Sequence, residues 1–164
     1  MDTDDRPDDG PIAAEWNRVP GIVCIDHVAI AVPQGELERQ VAAYALLGFR
    51  EMHREEVGGG DLVREVLLEI GGGPNRIQLL EPLTAESPVQ KWMDKNGGRG
   101  GFAHVAFRVK NAQQAFDSLK ANGFRIIDAA PRAGSRGSTV FFVHPKSRAA
   151  DGFGYLIEMV EERE

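Results

Sequence analysis

Two histidines stand in near-copies of one segment: Ile25-Asp26-His27-Val28-Ala29-Ile30-Ala31-Val32 returns 77 residues later as Phe102-Ala103-His104-Val105-Ala106-Phe107-Arg108-Val109. A second pair of stretches repeats in step with them, Ile77-Gln78-Leu79-Leu80-Glu81 and Ile157-Glu158-Met159-Val160-Glu161. Two imidazoles, a carboxamide and a carboxylate on internally equivalent strands offer an octahedral site for a divalent metal with two positions open, each half supplying two ligands. Nitrogen and oxygen donors without thiolate suit Co, Mn, Ni, Fe or Zn. One strand histidine alone reads as a satisfied core residue; the duplication argues for a site.

Glu65 adds a second kind of chemistry. In Leu62-Val63-Arg64-Glu65-Val66-Leu67-Leu68-Glu69-Ile70 it shares a strand face with Val63 and Leu67. A carboxylate on an apolar face is costly unless paired, protonated or in use. Such surroundings lift its pKa toward the range of a general base. The alternative is a solvent-facing strand, as Glu69 further along suggests. His53, among Arg54, Glu55 and Glu56, reads as a surface residue. His144-Pro145-Lys146-Ser147-Arg148 opens a cationic loop after an apolar strand, either an ordinary turn or a place where His144, Lys146 and Arg148 hold an anionic substrate. The glycine-rich runs lack a following Gly-Lys-Ser/Thr, so they read as turns and not as a phosphate-binding loop.

The elements that must position these residues are legible from their periods. Ile22 to Val32 reads as a buried strand closed by Pro33-Gln34-Gly35, with alternation placing His27 on a face with Ile25, Ala29 and Ala31. Glu36 to Leu47 has helical spacing and ends at Gly48, a left-handed cap. Strands follow at Phe49 to Glu56, Leu62 to Ile70 and Arg76 to Glu81, separated by glycine turns. Ser87 as N-cap and Pro88 start a short linking helix. The second half repeats the plan: a strand from Phe102 to Val109, with His104 on a face with Phe102 and Ala106; a helix capped by Asn111 and closed by Gly123; then strands at Phe124 to Asp128, Ser138 to His144 and Gly154 to Glu161. The expected fold is α+β, two βαβββ modules packed edge to edge around a cleft. Residues 1–20 read as an acidic mobile tail with Trp16 docked. Residues 21–164 read as one domain: module 1 over 22–83, a linker helix over 86–97 and module 2 over 102–161.

Composition narrows the class. The 164 residues, 42% apolar and 27% charged, are those of a globular protein of ordinary domain size. A net charge of −6 with a pI near 5.3 argues against nucleic acid or an anionic membrane as partner. The one cysteine, Cys24, excludes a disulfide framework, fits a reducing compartment and reads as a small core residue. No apolar run is long enough to span a membrane, and Met1 to Gly10 carries five Asp where a targeting segment carries positive charge. A cytoplasmic protein is expected.

These residues resemble the vicinal oxygen chelate superfamily (the glyoxalase/bleomycin resistance/dioxygenase fold), and within it the methylmalonyl-CoA epimerases. The resemblance covers about residues 22–162. It rests on Ile25-Asp26-His27-Val28-Ala29, His53-Arg54-Glu55-Glu56, Ile77-Gln78-Leu79-Leu80-Glu81-Pro82, Ser87-Pro88-Val89 with Lys91-Trp92, His104-Val105-Ala106-Phe107, Pro131-Arg132-Ala133-Gly134 with Gly137, and Phe142-Val143-His144-Pro145-Lys146-Ser147. The resemblance implies that His27, Gln78, His104 and Glu158 ligate a divalent metal and that Glu65 and Glu158 are the acid/base pair. It implies an acyl-CoA thioester substrate, epimerised at C2 through a metal-stabilised enolate, and a homodimer. The chain departs from the family in the turn before Glu65, where Gly58-Gly59-Gly60-Asp61-Leu62 replaces a Glu-Gln-Gly-Val-like turn and is one residue longer. It also carries extra residues from Ala149 to Phe153. Two competing readings are a glyoxalase-type lyase, which usually has a carboxylate where Gln78 stands, and a non-catalytic ligand-binding protein of the same fold. Ethylmalonyl-CoA differs from methylmalonyl-CoA by one methylene, which alters only pocket volume.

Overall fold

The computed structural model describes residues 21–147 and 152–163. The expected tail, with Trp16, and Arg148 lie outside those residues. In chain order the elements are β1 (Ile22–Ala31), α1 (Leu37–Leu46), β2 (Arg50–Val57), β3 (Val63–Glu69), β4 (Arg76–Pro82), α2 (Pro88–Lys95), β5 (Gly101–Val109), α3 (Ala112–Ala121), β6 (Arg132–Ala133), a 3₁₀ turn over Ser135–Gly137, β7 (Thr139–Val143) and β8 (Leu156–Glu161). The eight strands form one curled mixed sheet in the order β2-β3-β4-β1-β5-β8-β7-β6. Each half reads outward from the centre in the same sequence of parts. β1 and β5 meet antiparallel, while β1–β4 and β5–β8 are parallel. The edge-to-edge duplication expected from the repeats is therefore the architecture.

α1 and α3 cover one face of this sheet, α2 packs through Val89 on the other against Ala29, Val63 and Leu80, and alternation decides which polar residues lie there. α1 packs through Leu37 on Val66, Leu68 and Leu79. α3 packs through Ala112, Ala115, Phe116 and Leu119 on Phe141, Val143, Ile157 and Met159. Successive strand side chains point to opposite faces, so the intervening Glu65, Gln78 and Glu158 project away from α1 and α3. The caps follow local chemistry. Asn111 Oδ1 accepts from the Gln114 backbone N–H at 2.8 Å, and Gly48, at φ +95°, ends α1.

Four local expectations are corrected. Residues 124–128 do not form a regular strand. Ile126 makes a single bridge to Val143, and the Asp128 carboxylate accepts from the Phe142 N–H at 2.7 Å, which takes a ladder donor for a side chain. Ser87 occupies the N-cap position of α2 without capping it, because its hydroxyl donates to the Asp61 carbonyl. Cys24 is half-buried and lines a surface groove with Ile25, Val28 and Phe49; it is not a core residue. Leu47, whose spacing groups it with the apolar Leu37, Val41, Tyr44 and Ala45 of the first helix, is 69% exposed. Among the described residues no helix is long and apolar enough to cross a membrane.

Candidate active site

Register at the sheet centre assembles the duplicated residues around two alanines. Ala29 in β1 lies opposite Gln78 on one side and His104 on the other. Ala106 in β5 lies opposite His27 and Glu158. Both alanines are fully buried, so the space beside each is left to the longer side chains of its neighbours. His27, His104, Gln78 and Glu158 are all buried.

His27, His104 and Glu158 converge. Glu158 Oε2 is 3.1 Å from His27 Nε2 and 2.9 Å from His104 Nε2, and the two Nε2 atoms are 3.3 Å apart. An ion with ligand bonds of about 2.1 Å in octahedral geometry separates adjacent ligand atoms by about 3.0 Å. The triangle is thus the size of one face of a metal's coordination shell, and its two imidazoles and one carboxylate are the donors such an ion takes. Gln78 reaches the same face of the sheet, and its amide Nε2 donates to Glu65 Oε2 at 3.1 Å. That bond leaves the amide oxygen as the acceptor end.

Glu65 is 3% exposed, which decides between the two readings of its strand. The longer turn leaves its register intact: Glu65 pairs with Glu55 in β2 and Leu80 in β4. Its Oε1 is buried with no hydrogen-bond partner. Burial raises its pKa, reinforced by the nearby charges of Glu55 and Glu158, against the opposing pull of Ser135 and Arg136.

A β-bulge precedes each histidine and breaks the simple alternation. In β1, Ile25 pairs with Phe107 and His27 with Ala106, which leaves Asp26 as the extra residue. In β5, Phe102 pairs with Ile30 and His104 with Ala29, which leaves Ala103. Neither Ile25, 52% exposed, nor Phe102, 46% exposed, shares the buried environment of its histidine. The first bulge turns Asp26 inward, where its Oδ1 meets His27 Nδ1 at 2.7 Å. Burial is the largest single effect and opposes the charged forms of both, but their mutual hydrogen bond and the neighbouring charges together outweigh it. Asp26 falls to about 2, helped by Arg108, and His27 rises to about 9, helped by Glu158. The Glu158 carboxyl is likewise held below its usual range by the two histidines in spite of burial.

Sequence reasoning missed the group behind this pair. Arg108 Nε donates to Asp26 Oδ2 at 2.8 Å, Arg136 Nη2 reaches Asp26 Oδ1 at 3.3 Å, and Arg76 stands 3.5 Å away. All three arginines also contact Glu162. The available signal was a charge of opposite sign interrupting each of two apolar strands, Asp26 in the first copy and Arg108 in the second. His144 and Lys146 stand on the turn after β7, where His144 Nδ1 accepts from the Lys146 N–H at 3.0 Å. Among the described residues no hydrogen bond or ion pair joins either side chain to the histidine–glutamate cluster.

Residues 26–142 match the family model of the Glyoxalase/Bleomycin resistance protein/Dioxygenase superfamily. The chain belongs to this superfamily. Within the superfamily it is similar to the ethylmalonyl-CoA/methylmalonyl-CoA epimerase of Cereibacter sphaeroides, at 34% identity over 137 residues, 82% of this chain and 95% of that one. Among solved structures it is similar to methylmalonyl-CoA epimerase from Mycobacterium tuberculosis, at 33% identity and a TM-score of 0.78 over 88% of this chain and 91% of that one. A variant of the Streptomyces coelicolor methylmalonyl-CoA epimerase in complex with 2-nitronate-propionyl-CoA matches at 36% identity and a TM-score of 0.76, over 87% and 99% of the two chains. The two solved structures share this fold.

Proposed function

We propose that this protein is a methylmalonyl-CoA epimerase that interconverts the (2R) and (2S) forms of its thioester substrate. The observation that carries the reading is the placement of Glu65: a buried carboxylate with a raised pKa, tied by one hydrogen bond to Gln78 beside the His27–His104–Glu158 triangle. In this reading His27, Gln78, His104 and Glu158 hold a divalent metal, one of Co, Mn, Ni, Fe or Zn. A bound ion there supplies Lewis-acid stabilisation of the charge that develops on the thioester carbonyl.

The chain's own residues do the proton work. Glu65 takes the C2 proton from one face of the substrate; its desolvation makes it a stronger base than an exposed carboxylate. Glu158 serves the opposite face, and delivery from that side inverts the configuration. The pull that lowers Glu158 in the metal-free protein comes from imidazoles that carry protons; ligating imidazoles would not, and the ion's own charge would take their place. Gln78 couples the two functions: its amide oxygen would be available to the ion, while its amide N–H fixes Glu65. His144, Lys146 and Arg148 hold the anionic end of the substrate, its carboxylate or CoA phosphates. An enzyme of this kind needs no nucleic acid or membrane partner, and the compartment proposed is the cytoplasm. A homodimer is proposed, with Ile22, Val23, Ile25 and Phe102, each about half exposed, as the apolar side chains available to it.

The test is to incubate metal-stripped protein, reloaded with Co or Mn, with one epimer of methylmalonyl-CoA in deuterated water. C2 exchange with inversion is expected. Absence of both, with metal bound, removes the proposal.

A further inference from the structure

A second cluster of metal-ligating side chains lies beside Glu65 on the first module. β2 and β3 pair so that Glu55 is directly opposite Glu65, and His53, two residues along β2, is opposite Leu67. Ligand atoms of His53, Glu55 and Glu65 all lie within 4.8 Å of one another. His53 Nε2 is 3.0 Å from Glu55 Oε1, which also accepts the Arg136 backbone N–H at 2.7 Å.

Two features ask for a cation. Like charges placed directly across a strand pair repel unless something positive lies between them. Glu65, 97% buried by its 3% exposure, also has a carboxylate oxygen without a partner, and such an oxygen carries a desolvation cost until a cation or donor meets it. One imidazole nitrogen and two carboxylate oxygens are a donor set for Mn, Fe, Co, Ni or Zn. His53 and Glu55 are each about one-third exposed, which gives an ion a route from solvent to a buried ligand.

We propose that His53, Glu55 and Glu65 form a second divalent-cation site, separate from the His27–His104–Glu158 triangle. Its third ligand is the residue assigned above as the base, so occupancy of this site withdraws Glu65 from the reaction. The site makes the enzyme self-limiting toward metal: the first equivalent activates and the second inhibits. The inhibition rests on the reading of Glu65 as base; the stoichiometry does not.

The experiment titrates the metal-stripped full chain with Mn²⁺ and counts bound ion by the loss of the free-ion EPR signal. Two equivalents are expected for the wild type. His104→Ala should retain the second alone, and His53→Ala or the shape-conserving Glu55→Gln should retain the first alone, with thermal melting to verify that each variant folds. A wild-type protein that binds one equivalent, lost in His104→Ala, overturns the site. So does a second equivalent that survives in both folded His53→Ala and Glu55→Gln. In turnover assays, Mn²⁺ beyond the first equivalent should slow the wild type by on the order of a hundredfold near saturation, the scale of losing a general base. Two equivalents without that slowing would leave the site standing and remove Glu65 as base.

Discussion

Gln78 donates its amide to Glu65 Oε2 at 3.1 Å, and that bond joins the two halves of the proposed chemistry. The two residues are on adjacent antiparallel strands, with Gln78 opposite Leu67 and Glu65 opposite Leu80. They therefore approach diagonally on the face opposite α1 and α3. A carboxamide is the group that can do both jobs, since it presents an acceptor to an ion and a donor to a carboxylate.

Replacing Glu65 by Gln keeps the shape and removes the base. Turnover should fall by roughly 10²- to 10⁴-fold. Metal content after dialysis, measured in the presence of one equivalent, should be unchanged. Near-normal activity would remove Glu65 from the reaction.

Gln78→Leu removes the donor to Glu65 at nearly constant volume. The carboxylate then loses its Gln78 donor, so its pKa rises further and the acid limb of the rate–pH profile should move to higher pH. An acid limb that stays put would mean that the limb belongs to another group.

Asp26→Asn removes the charge that orients His27 and leaves Arg76, Arg108 and Arg136 to Glu162 alone. Breaking a buried ion pair from one side costs about 3–5 kcal/mol, which a denaturant titration reads directly. Loss of the partner that fixes a ligating imidazole should also weaken metal binding by roughly 10- to 100-fold. Unchanged metal affinity would show that Asp26 serves stability only.

The pH dependence of the metal-free protein has a defined sign. His27 has its folded pKa raised from 6.5 to about 9, so its contribution is fully present below pH 6.5 and is lost as pH climbs through about 9. A shift of that size corresponds to about 3 kcal/mol, shared with Asp26 and Glu158. Melting temperature measured in chelator should fall across that window. Metal affinity should rise across the same window, because the ion must displace the His27 proton. A flat melting profile would mean that His27 is not held in its charged form.

Core packing should be separable from these effects. Phe116 fills the junction of α3 with Phe141, their rings 5.3 Å apart edge to face. Phe116→Ala should cost about 3–5 kcal/mol, seen as a lower denaturation midpoint. Metal stoichiometry in the folded variant should not change.

The sequence by itself determined the duplication, the strand–helix order of each half, and the identity of the buried polar residues His27, Gln78, Glu158 and His104. Those follow from periods of two and 3.6, from caps such as Asn111 and Gly48, and from repetition, all of which are local. Only the tertiary structure decided what those residues meet. Asp26 and His27 are both buried because a bulge against β5 adds a residue, and simple alternation would have turned Asp26 to the opposite face of the sheet, with Val28 and Ile30. The same non-local pairing leaves 124–128 as a single bridge at the sheet margin. It brings Arg76, Arg108 and Arg136 from three separate places onto one carboxylate, and it sets Glu55 against Glu65. Register between distant strands is fixed by which side chains can be buried together, and that is a property of the assembled sheet.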